Sequence, residues 1–66
     1  MTPEQKAAFI FSCSISAQIE MEGMKAENLF RERQGQSPAY GEDAFFNLIK
    51  KHGIEHNSII NFFLGD

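Results

Sequence analysis

Disulfides, tryptophan and a surplus of positive charge are all missing from this chain, and each shortage narrows what it can be. Cys13 is the single cysteine, so no disulfide can form within the chain. No stretch comes near the ~20 consecutive apolar residues of a membrane span. Lys and Arg number 6 against 9 Asp and Glu, for a net charge of −3. That balance argues against a protein whose main work is gripping nucleic-acid phosphates, which is done by Lys and Arg. The opening MTPEQK lacks the basic start and apolar run of a secretory signal. With only one thiol beside it, this predicts a cytoplasmic protein. No Gly-rich phosphate loop, paired-carboxylate site or Ser/His/Asp grouping stands out, so a non-enzymatic role with no cofactor and no metal is expected.

Phenylalanine, by contrast, is plentiful: there are 7 in 66 residues. Each can bury ~150–250 Å², which makes a core feasible in a chain too short to bury more than roughly 60% of its unfolded surface. A single domain is expected over residues 1–66, and its thin core predicts help from a partner chain.

Helix ends are the clearest local signals. Thr2-Pro3-Glu4-Gln5 places a capping hydroxyl, a first-turn proline and a capping-box glutamine in order. Good helix formers then run to Arg33 and stop at Gly35, predicting one helix over about 3–34. The β-formers of FIFSCSIS interrupt this texture, but apolar spacing of three and four continues on both sides. Ser37-Pro38 predicts a second helix over about 38–52, with a later start at Gly41 as the alternative and Glu42 and Asp43 in its first turn. Ala44, Phe45, Leu48 and Ile49 form its expected buried face, and Gly53 a left-handed C-cap. A third helix is expected over about 56–64, burying Ile59, Ile60 and Phe63. The fold class is therefore all-α: a long N-terminal helix with two shorter helices folded back as a helical hairpin.

At ~100° per residue the first helix carries two apolar stripes. One holds Ala8, Phe11, Ile15, Ile19, Ala26, Leu29 and Phe30, interrupted by polar Ser12 and Glu22; the other holds Ile10, Cys13, Ala17, Met21 and Met24. The short helices can cover one. Residues 10, 17 and 24 recur at seven, with Cys13 and Met21 near the alternate seam positions of a coiled coil. That pattern predicts a homodimer, or another partner interface, built on Ile10, Cys13, Ala17, Met21 and Met24, with Phe9, Phe46 and Phe62 as further contact surface; the alternative is that this stripe is ordinary core of a more globular monomer. Gly23, mid-helix, is expected to mark a bend or a close backbone approach.

Two motifs point elsewhere. His52-Gly53-Ile54-Glu55-His56 matches the H-x-x-E-H spacing of zinc peptidases, but Gly53 is expected to end a helix between the two His and destroy the shared face. Residues 44–63 have the form of a helix-turn-helix, in which His56, Asn57 and Asn61 would face a DNA groove. This alternative reading, a small DNA-binding regulator, lacks Arg or Lys on the reading face. Lys25, Arg31, Arg33, Lys50 and Lys51 mostly sit in last turns, where cations suit the helix dipole. Cys13, among apolar neighbours, reads as a buried structural thiol.

In its MTPEQKAAFIF opening and its AFFNLIKKHGIEHN segment the chain resembles the small early-region proteins of tailed, lambdoid bacteriophages. The resemblance implies a protein of the host cytoplasm that acts by binding a host or phage protein, and sometimes DNA. Together with the stripes, it makes a small helical protein-interaction module the expected function.

Overall fold

The computed structural model describes residues 1–65, and these contain three helices and no strand: α1 (Pro3–Arg33), α2 (Glu42–Lys51) and α3 (His56–Leu64). The start of α1 is the capping box read from sequence. Thr2 Oγ1 accepts from the Gln5 N–H at 3.1 Å, and Gln5 Oε1 accepts from the Thr2 N–H at 2.9 Å. Its end is a Schellman turn, in which Gly35 takes φ +73° and the Gln36 N–H reaches back to the Arg31 carbonyl at 2.8 Å. α2 closes in the same way: Gly53 takes φ +67°, and the Ile54 N–H donates to the Ile49 carbonyl at 3.0 Å.

The second helix starts at Glu42, four residues later than the expected 38, with Gly41 as its N-cap. A long-range contact explains the delay. Asn28, on α1, accepts from the Tyr40 N–H at 3.0 Å and donates to the Tyr40 carbonyl at 2.9 Å. A single amide side chain thus takes both polar groups of the Tyr40 backbone and holds the connection against α1.

From that anchor the chain returns antiparallel along α1. Ala44 and Leu48 lie by Met24, Lys51 reaches Glu20, and Phe62 reaches Phe9 near the start. Both short helices pack on α1, and among the described residues they do not pack on each other. They behave as one arm bent at Gly53, and the expected helical hairpin is present as a long helix with this bent arm beside it. The result measures 50 × 17 × 10 Å, two helices wide and one helix thick. Its radius of gyration of 15.2 Å far exceeds the about 11 Å of a compact domain this size.

A single layer has a seam but little interior. Among the described residues only Ala17, Met24 and Leu48, at 7%, 8% and 7% exposure, form a buried apolar core. On α3 the inward pair is Ile59 and Phe62, while Ile60 and Phe63, expected inside, are exposed. Ile49, expected on the buried face of α2, is exposed as well.

The glycines allow a paired test. A Cβ at either Gly23 or Gly53 would meet nothing within 4 Å, so no close approach explains Gly23. Gly23→Ala is expected to stabilise the fold by about 1 kcal/mol through helix propensity. Gly53→Ala should destabilise it by about 1–2 kcal/mol, because its backbone is left-handed. Urea unfolding followed by circular dichroism measures both, and equal shifts of one sign would refute the assignment.

Candidate interaction surface

Three polar ties fix which side of α1 meets the returning arm. Besides Asn28, Glu20 receives Lys51 Nζ at 2.6 and 3.0 Å, with His52 Nε2 3.8 Å away. Near the start of α1, Lys6 is buried; its Nζ donates to the Phe63 carbonyl at 3.2 Å and lies 5.6 Å from the Phe62 ring centroid. Phe62 stacks on Phe9 with centroids 5.4 Å apart. Residues 6, 20 and 28 share a side of the helix with 10, 13, 17, 21 and 24.

The stripe of Ile10, Cys13, Ala17, Met21 and Met24 is consequently the seam inside the hairpin. Ala17 and Met24 are buried by the chain's own arm, and Ile10, Cys13 and Met21 are half-buried. The chain's own arm thus covers Ala17 and Met24 of the expected interface and leaves Ile10, Cys13 and Met21 partly accessible. The heptad is read correctly, but a heptad does not specify whether the partner helix comes from the same chain. Phe9 stacks on Phe62 yet remains 48% exposed, and Phe46 is open at 59%.

The other stripe is the one left uncovered. Phe11, Ile15, Ile19, Leu29 and Phe30 are all exposed, at 67%, 42%, 69%, 46% and 59%. They form a line on the outer edge of the hairpin, about half a helical turn around from the seam. At 1.5 Å rise per residue the line from Phe11 to Phe30 runs about 28 Å. A second apolar feature opens between α1 and α2, a groove of about 350 Å³ lined by Met21, Phe45, Phe46, Ile49 and Ile54 among others. Ser12 and Glu22, both exposed, interrupt the outer line, so it is a row of apolar side chains with polar breaks.

The other sequence motifs do not assemble into sites. His56, Asn57 and Asn61 are exposed on α3, but the close crossing of two helices that defines a helix-turn-helix is absent, since α2 and α3 each pack on α1 instead. Gly53 breaks the chain between His52 and His56, so the H-x-x-E-H residues do not share a helix. Among the described residues no three of His, Cys, Asp and Glu gather as a metal site. Of the cations, Lys25, Arg31 and Lys51 are paired with Glu22, Glu27 and Glu20 rather than massed together. No described helix is long and apolar enough to cross a membrane. No family model, curated protein or solved structure matches the chain.

Glu20 was not singled out from sequence, because its partners lie 31 residues away. The hydrogen bond from Lys51, joined by the charges of Lys51 and His52, holds its carboxyl below the ordinary glutamate range despite partial desolvation. A carboxyl with a lowered folded-state pKa stabilises the fold fully above its unfolded value and ceases to do so as pH falls through the folded one. Glu20→Gln should therefore melt at a lower temperature than the parent at pH 7, with the difference shrinking below about pH 4. Parallel thermal melts at the two ends of that range measure it, and a constant difference would remove Glu20 from the tie.

Proposed function

We propose that the chain is a small helical protein-interaction module that works by burying the outer face of α1 against another protein chain, a second copy included. The observation that carries this reading is the exposure of Phe11, Ile15, Ile19, Leu29 and Phe30 along a face that the chain's own arm does not reach. The accessible surface points the same way. At 5080 Å² it exceeds the about 4,200 Å² of a compact 7.5 kDa monomer by an amount on the order of 800 Å². Each partner in a standard-size interface gives up about that much. A phage-encoded adaptor acting on a host or phage protein in the host cytoplasm is the context that the sequence texture suggests.

The DNA-binding reading rests on exposed His56, Asn57 and Asn61. Its weakness is electrostatic: α3 holds no Lys or Arg, and the acidic chain offers little to offset phosphate repulsion.

Substitutions on the two faces of α1 should separate folding from binding. Ala17→Glu, in the seam, is expected to destabilise the hairpin by on the order of 3 kcal/mol through a buried unpaired charge. Ile19→Glu, on the outer face, should leave the melting of the single chain within about 0.5 kcal/mol of the parent, yet abolish recovery of bound protein from host extract. If the Ile19→Glu chain retains the same bound proteins as the parent, the outer face is not the contact surface. Retardation of duplex DNA at moderate salt, lost in Asn57→Ala/Asn61→Ala, would instead establish the DNA reading.

A further inference from the structure

Resting on the outer face as contact surface, we infer that its occupant is the same face of a second copy, packed antiparallel with Glu4 of each protomer against the partner's Arg33. Glu4 lies in the first turn of α1 and Arg33 in the last. By helical rotation both belong to the outer stripe, at its opposite ends. Both are exposed, and neither forms an ion pair with another described residue, although Lys25, Arg31 and Lys51 all do. The stripe thus ends in an acid on one side and a base on the other. A two-fold axis across its middle brings each acid to a base.

The same register also matches sizes toward the two ends of the seam. Superposing the two copies of α1 end for end, with Glu4 opposite Arg33, sets Ala8 against Leu29 and Phe11 against Ala26, and the axis falls between Gln18 and Ile19. Large side chains therefore meet small ones, the arrangement that lets helices interdigitate. Ile15 falls opposite Glu22, whose carboxylate is 3.3 Å from Lys25 Nζ and largely exposed in the single chain, so that in the pair its methylene stem covers the isoleucine while its charge keeps to Lys25 at the edge. A parallel pair would instead stack Glu4, Glu22 and Arg33 each on its own copy, and Phe11 and Phe30 likewise. Like charges on a seam are the usual means of rejecting an orientation. The area agrees too, because the excess exposure of the single chain is on the order of the 800 Å² that each partner of a stable pair buries.

The test uses two single-cysteine chains, Ala8→Cys and Leu29→Cys, each also carrying Cys13→Ser. Both engineered positions are exposed, and circular dichroism verifies that each chain keeps its helix. In the antiparallel register, air oxidation of the mixture gives the 8–29 crosslink, and neither chain crosslinks alone. In sedimentation equilibrium, Glu4→Arg and Arg33→Glu should each weaken dimerisation about 2- to 30-fold by losing two surface ion pairs, and the double exchange should restore it. Rescue in the double variant separates pairing from any local effect on the helix ends. Crosslinking of Ala8→Cys with itself would overturn the antiparallel register while leaving the outer face as the interface. A parent chain that sediments as a monomer at several hundred micromolar overturns self-pairing altogether, and the proteins recovered with and without Ile19→Glu then decide the broader reading on their own.

Discussion

Two helices side by side make one layer, and one layer cannot enclose an apolar volume. Stable domains normally place a second layer over the first, because each element must bury its hydrophobic stripe against something. Here the long helix has two such stripes and the returning arm can cover only one. The 10 Å thickness of the molecule is therefore the constraint behind its other properties: the short list of buried residues, the exposed aromatics and the excess surface. A layer of this kind becomes a conventional helical assembly when a second chain supplies the missing side.

Within the layer, side-chain polarity does the positioning that a large core would do elsewhere. Asn28, Glu20 and Lys6 tie α1 to the returning arm near one end, its middle and the other end. Each tie uses a backbone group or an opposite charge on the arm, so together they set rotation and register as well as proximity. The apolar seam between them holds the most deeply buried apolar side chains, Ala17, Met24 and Leu48, whose removal from water favours the folded chain. The stacked Phe9 and Phe62 close the end where α3, the most apolar helix, meets the start of α1. The bend at Gly53 lets one arm follow α1 along its length while directing different residues inward on either side of the turn.

Much of this architecture was legible beforehand. Thr2, Pro3 and Gln5 announced the start of α1, while Gly35 and Gly53 announced two helix ends that the structure closes as Schellman turns. The division of α1 into two apolar stripes was equally plain. Which stripe faces inward was not, because heptad spacing describes a seam without naming the helix across it. Of the two starts legible for α2, the structure takes the later one at Gly41: Ser37-Pro38 is a good local start, but Asn28 holds Tyr40 in the connection that precedes the helix. On α3, Ile60 and Phe63 were expected inside with Ile59, but the stacking of Phe62 on Phe9 turns Ile59 and Phe62 inward instead.

The sequence by itself determined the all-helical class, most helix ends and the presence of more apolar surface than the chain can hide. These follow from capping chemistry and rotational period, which act within a few residues. Tertiary structure alone decided that Ile10 to Met24 is the inner seam and Phe11 to Phe30 the outer face. That choice depends on contacts such as Lys51 with Glu20 and Lys6 with Phe63, separated by 31 and 57 residues, and no local pattern encodes a pairing over that distance.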